Sequence, residues 1–594
     1  MSTKNTFVWF LLAAGLFVSI LLLNRYLYQP AASNGNILPG LQASLVTSVQ
    51  VIHAGALEIR ADRRDDSWLL AKPVPYPGQS AAIEALLAAL QKLAPVTRIS
   101  AGELREHHTA DTDFGFDAPQ ISLTVTADDQ RWQLQVGNKT APGDQVYLRV
   151  VGVDGAYVAD ADWLKLIPSS AQDWRSTALV MADANTCDAI VLTNGAKIIE
   201  LRRDPTNRLW RMIRPLLARA DSDRITDALQ NLENAQAAQF VTDDAKADLT
   251  MFGLQPADLD LWLNRGTNFI SALHTGKNAT NDVAQIYVRR EGWNTVFTTA
   301  EEPLSPWHGT VNDFRDPHLL ELTAPVTEIE VHGQHDFTLQ QRGTNDWKVV
   351  GEKFPVGADN VQLFIKTLAA LRVADFVKDV VTAPDLAAYG LATPSRQITL
   401  RAAVGDTNAV IAQLAFAVQT NGIFVHRADE DFIYAISSED LNRLPESGWE
   451  FRDRHIWKFS ERDVAQITLH QDGKTRQLVH DGPNKWSLAA GSQGIINPPA
   501  IEETTHRLGE LTALGWVARN VTEPEKFGLA PDSLEIIVQL KNGERLSMAF
   551  GTELPKANTA LAAVTFGDER WAFVFPPVLY QFVTSYLTIP ANAP

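Results

Sequence analysis

Two hydrophobic periods alternate along this chain. Near the start of the globular part, "VTSVQVIH" and "ALEIRA" switch between apolar and polar residues every second position, which predicts a pair of strands closing at Trp68. A helical stripe follows in "SAAIEALLAALQKLA": Ile83, Leu86, Leu87, Leu90 and Leu93 fall on one face at a 3.6-residue period. Period-two strands then return, with Ile121, Leu123 and Val125 in one and Trp132, Leu134 and Val136 in the next. The helical stripe recurs at Ile225, Leu229 and Leu232, and again at Val361, Phe364, Ile365 and Leu368. Ser80, and Asn497 ahead of Pro498, are the N-caps this reading predicts.

The strand–helix–strand pattern is punctuated by a repeated turn. "DFGFDAP", "MFGLQP", "AYGLATP" and "KFGLAP" place glycines at Gly115, Gly253, Gly390 and Gly528, spaced by 137 or 138 residues, with prolines at Pro119, Pro256, Pro394 and Pro531. Glycine there predicts a positive φ, and proline suits a position just ahead of a strand because it offers no donor to a ladder. The aromatic before each glycine is expected to pack on the core of its own module. Trp68, Trp210, Trp347 and Trp486 keep nearly the same period, as do Tyr147, Tyr287 and Phe424. Solenoid repeats run to about 50 residues at most, so this period is that of whole domains in tandem. The fold class expected is α/β (α+β): four homologous modules of mixed, largely antiparallel sheet with one main helix each, at 44–182, 183–322, 323–461 and 462–594.

Ahead of the modules, Phe7–Leu23 is apolar except for Ser19, and "YLY" carries the run to Tyr28. That length suits a bilayer-spanning helix, so residues 1–28 are expected to be a cytoplasmic tip and single-pass anchor. Residues 29–43, with "PAASNGNILPG", are expected to be a linker. Lys4 before the run, and the lack of Lys or Arg from Tyr26 to Ile59, orient the modules to the periplasm.

Charge and composition narrow the function classes. A net charge of −18 over 594 residues, with no basic run, argues against a nucleic-acid partner. A single cysteine, Cys187, excludes an internal disulfide and a cysteine zinc cluster, and its apolar setting predicts a buried thiol. No phosphate loop, nucleophile elbow or zinc helix is present, so no catalytic, cofactor-binding or metal-binding residue is nominated. "GNKT" at Gly137 and "TGKNAT" at Thr275 read as hairpin loops; His332, His335 and Asp336 read as a solvated turn, and His107–His108 as an exposed loop. The best-defined polar constellation is an aromatic–Arg pair found three times: Trp174–Arg175, Phe314–Arg315 and Phe451–Arg452. It could grip an anion in each module. Alternatively, each Arg could stack, bond carbonyls or the nearby Asp173, Asp313 or Glu450, and close one module against the next.

The "YGL…P" turn before paired strands, followed by an apolar-aromatic strand and a "(W/F)R" segment, resembles the bacterial domain-of-unknown-function 4340 family in tandem copies, from about Val46 to Pro590. The fourth copy departs from it, with "VTFGDER" in place of the aromatic–Arg strand and no later "(W/F)R" segment. The resemblance implies a membrane-tethered, non-enzymatic extracytoplasmic subunit working beside the permease and ATPase of a gliding-motility-type ABC exporter. A periplasmic receptor for envelope glycan is the alternative, marked by exposed tryptophans among the fifteen, and an envelope hydrolase is a third class.

Overall fold

The computed structural model describes residues 35–588, except 55–57, 182, 280–281, 323 and 405–406. The anchor expected at Phe7–Leu23 lies outside the described residues, and among these no helix is long and apolar enough to cross a membrane. The chain divides into two compact units, Met1–Arg315 and Asp316–Pro594.

Alternating burial builds four large sheets. The first contains β1 (Val46–His53), β2 (Glu58–Arg64), β3 (Ser67–Lys72), β4 (Tyr76–Pro77), β5 (Thr97–Ile99), β6 (Ile121–Ala127), β7 (Gln130–Lys139), β8 (Gln145–Val150) and β9 (Ala156–Asp160). Their spatial order is 4-3-2-1-6-7-8-9-5. The second sheet repeats this order with nine strands between Ala189 and Ala300. The third and fourth lack only the counterpart of β4, which leaves eight strands each.

Every strand pairing among the described residues is antiparallel, where a mixed, largely antiparallel sheet was expected. The connections explain this. Hairpins join neighbouring strands, and the one long helix, α1 (Ser80–Gln91), leads from β4 at one edge to β5 at the other rather than to a parallel neighbour.

The helical stripe faces inward as its spacing requires. Ile83, Leu86, Leu87 and Leu90 are fully buried against Val49, Val51, Leu123, Leu134 and Leu148, each worth roughly 1.5–3 kcal/mol of apolar burial. Ile225, Leu229 and Leu232 do the same in the second sheet's helix, Ser222–Asn234. In the third, Val361, Phe364 and Leu368 of Ala358–Ala369 are buried and Ile365 is half-buried. The four tryptophans are buried on the edge hairpins. Trp68 donates to Glu84 on α1 at 2.8 Å, and Trp486 to Glu502 on the fourth helix at 2.6 Å.

Two expectations need correction. Ser80 is the first helical residue and Gln79 the N-cap, without a side-chain bond. Asn497 does cap its helix, accepting from the Ala500 amide at 3.3 Å. The second correction concerns the linker: Ile37, Leu38 and Leu41 are buried in the first core, and the Ile37 amide donates to the Leu93 carbonyl at 2.8 Å.

Candidate functional site

Each aromatic–Arg pair sits at the end of one 3-10 turn: Ala171–Trp174, Val311–Phe314 and Gly448–Phe451. A capping box closes each turn, from Ser170 with Asp173, Thr310 with Asp313 and Ser447 with Glu450. The acids beside the arginines therefore hold amides of their own turn. Asp173 accepts from Ser169 and Ser170, at 2.7 and 3.0 Å, and Arg175 pairs elsewhere. Trp174, Phe314 and Phe451 are each 1% exposed and fill their own module's core.

After the turn the chain runs extended and is stitched on both sides. The Trp174 carbonyl accepts from the Gln79 amide at 2.8 Å, and the Ser176 amide donates to Pro77 at 2.9 Å, along the edge of the first sheet. Three residues on, the Leu179 amide donates to Ala235 at 3.0 Å and the Ala237 amide to Thr177 at 2.6 Å, now on the second module. Leu179 and Val180 enter that module's core. The same strap recurs from the third module to the fourth: Gly357 to Phe451 and Asp453 to Pro355 on one side, Ile456 to Leu511 and Ala513 to Arg454 on the other. Within the first unit, Asp221 donates to Phe314 at 3.0 Å; within the second, Leu319 donates to Leu371 at 3.0 Å.

The arginines are set into these straps. Arg175 is 3% exposed, pairs with Asp243 at 2.6 Å, and lies over the rings of Tyr76 and Phe240 at 5.4 and 4.9 Å. Thr295 holds the second Asp243 oxygen at 2.8 Å. A second buried guanidinium, Arg290, lies 5.2 Å from the Tyr76 ring and donates to the carbonyls of Leu179, at 3.1 Å, and Ala178. Burial pushes the Tyr76 hydroxyl pKa up, against the opposing pull of Arg290 and Arg175.

The strap between the third and fourth modules reaches closure by other means. Arg452 lies over four rings, nearest to Phe566 at 4.0 Å and Trp571 at 4.6 Å, and burial depresses its pKa. The Trp516 ring nitrogen donates to the Arg452 carbonyl at 3.0 Å. Arg519 carries the charge pairing here, to Glu569 at 2.6 Å and Glu352 at 2.7 Å. Those two carboxylates, Glu569 foremost, raise its pKa.

Sequence reasoning missed Arg290 and Arg427, which end equivalent strands, Asp282–Arg290 and Gly422–Arg427. Arg427 donates to Leu319 at 2.6 Å as Arg290 does to Leu179, so both clamp the strap entering their module. The signal lay in "IYVRR" and "IFVHR", where only the aromatic was followed. Phe566 ends the matching strand of the fourth module, Thr559–Phe566. The departure at "VTFGDER" supplies a ring for Arg452, while by register Val564 takes the position of Arg290 and Arg427.

The repeated turns also have a definite geometry. Gly115, Gly253, Gly390 and Gly528 all have positive φ, between 68° and 76°. The preceding aromatic packs apart from the main core, against the landmark aromatic of a neighbouring strand: Phe114 on Tyr147 at 4.4 Å, Phe252 on Tyr287 at 5.0 Å and Tyr389 on Phe424 at 4.8 Å. Since residues alternate across a strand, Tyr147 faces away from buried Val146 and Leu148.

Gly137 and Gly276, read as hairpin loops, lie inside strands Gln130–Lys139 and Asn268–Ala279 at register shifts, as Gly551 does in Arg545–Leu554. A Cβ there would meet the carbonyl of Phe114, Phe252 or Phe527 at 2.0–2.1 Å. His332 is the exposed last residue of the strand Val326–His332, in contact with Glu330 and Asp336, and His107 and His108 are exposed. Cys187 is buried, which raises its thiol pKa. Among the described residues no cluster of three His, Cys, Asp or Glu could hold a metal, and no tryptophan is exposed.

A family described as a domain of unknown function, DUF4340, matches residues 68–208, 210–394 and 347–532. The chain belongs to the DUF4340 family. The three matches begin at Trp68, Trp210 and Trp347, and each contains one aromatic–Arg pair of this DUF4340 chain. Among curated proteins, none matches the chain.

Proposed function

We propose that this DUF4340 protein is a non-catalytic scaffold, anchored by its N-terminal helix in the inner membrane with its modules in the periplasm. Its partners on this reading are the permease and ATPase subunits of a gliding-motility-type ABC exporter. One observation carries the scaffold reading: the residues that repeat are consumed in building. The turn glycines take a positive φ, the tryptophans fill edge hairpins, and the aromatic–Arg pairs close straps. A catalytic group is seldom needed three times, whereas a structural joint is. The glycan-receptor alternative called for exposed tryptophans, and the described residues offer none.

Mild-detergent purification of the full-length protein from its host, with mass spectrometry of what remains bound, tests the proposal. A stoichiometric permease and ATPase are expected. Recovery of the protein alone, as a monomer or homo-oligomer, would sink the transporter assignment.

A further inference from the structure

The fourth module keeps the strap-receiving edge of its sisters but carries different chemistry at its base. In the first three modules the helix N-cap amide, of Gln79, Asp221 and Gly357, donates to the carbonyl of the strap aromatic. Asn497 is the fourth N-cap. Its side chain serves its own helix, the residue is exposed, and among the described residues no strand lies along it. Two residues earlier Ile495 stands 92% exposed, the most exposed large apolar side chain of the described residues.

Beneath this edge the pattern breaks. The second strand of each sheet places a residue opposite Val51, Leu192, Val331 and Leu469, which are equivalent positions. The first three carry Ile59, Ile199 and Phe337, and Phe337 packs on the strap's Phe451 at 5.7 Å. The fourth carries Arg476, 1% exposed. Its Nη1 donates to Thr588 at 2.5 Å and its Nη2 to Ile495 at 2.9 Å, while Nε reaches no acceptor. Among the described residues no carboxylate offsets its burial. A buried cation is costly until it is paired, and a segment arriving as the other straps do would bring its inward side chain to this guanidinium.

We propose that the edge at Ile495–Asn497 docks an extended segment of a partner protein by strand addition, and that Arg476 selects a segment with Asp or Glu where the chain's own straps carry an aromatic. Main-chain bonds to the edge would supply affinity and the side-chain position specificity. The inference does not depend on the partner being a transporter.

The test uses the full-length protein in detergent and two labelled peptides. One copies residues 446–456; the other carries the change Phe451→Glu. Fluorescence anisotropy is expected to show the glutamate peptide binding at least tenfold more tightly, and a photocrosslinker at position 495 should capture it. Arg476→Ile, which installs the residue of the first two modules, should reverse the preference. Ile495→Asp, a change at an exposed position that leaves the core intact, should weaken the glutamate peptide at least tenfold. Equal binding of both peptides, binding unaffected by either substitution, or no capture at 495 would overturn the proposal. So would binding seen only after removal of residues 589–594, because that tail would then be the occupant.

Discussion

At the scale of the residue, the turn that marks this repeat needs two glycines in three of its four copies, only one of which announces itself. Gly115 is required by its φ of 76° and by an added Cβ lying 2.9 Å from the Asn138 amide nitrogen. Gly137 has an ordinary φ and is required only because the Phe114 carbonyl lies against it. The Asn138 amide donates to that carbonyl at 2.8 Å, so the turn and the bulged strand are locked together. Gly137→Ala, Gly276→Ala and Gly551→Ala should each cost about 1–3 kcal/mol as overpacking, read as lost hydrogen-exchange protection confined to the mutated module. The third module has Ala417 beside its turn glycine and no register shift between those two strands, so its turn tolerates a Cβ there. The first glycine was legible because an aromatic–Gly–apolar run shortly ahead of a proline recurs four times, as a turn with positive φ would require. The second was not: "GNKT" is made of turn formers, and only a tertiary contact places it inside a strand.

At the scale of the element, periodicity located the helices and most strands because each buries one face over ten or so residues. The expected first strand matches Val46–His53 end to end. The straps escaped notice because their apolar content is two residues, as in Ile37–Leu38 and Leu179–Val180, too short for any period to show. Short as they are, they are central to packing. Leu38→Ala and Leu179→Ala should each cost about 2–5 kcal/mol, measured by denaturant-dependent hydrogen exchange across the first and second modules respectively. Leu217→Ala, at a side chain 73% exposed, should stay within about 0.5 kcal/mol. A neutral Leu38→Ala would return residues 36–41 to the status of a linker.

At the scale of the whole molecule, the joints share a backbone plan and differ in charge. Arg175 pairs with Asp243 in one, whereas Arg519 answers Glu352 and Glu569 in the other. Arg519→Asp should therefore destabilise the second unit by about 2 kcal/mol at neutral pH. Arg519 holds the Glu569 carboxyl below its ordinary pKa, so the stabilisation is present above the unfolded value and is lost as pH falls through the folded one. The gap in thermal midpoint between wild type and variant should narrow from pH 7 towards pH 3. A gap that widens on acidification would show that Glu569 is not the group being relieved. The resemblance of the sequence to the family was legible, but the charge of each joint was not, because pairs such as Arg175 with Asp243 are 68 residues apart.

The strap has a consequence for how such a chain can lengthen. A duplication with breakpoints at the boundary between two cores would cut through the strap and leave each new copy with half a connection. Breakpoints at the tryptophans, where the three family matches begin, keep the aromatic–Arg turn, the extended segment and the receiving hairpin in one stretch of sequence. Copying that stretch would add a module together with the strap that holds it, so a longer array could arise from one genetic event without waiting for a new connection to be invented.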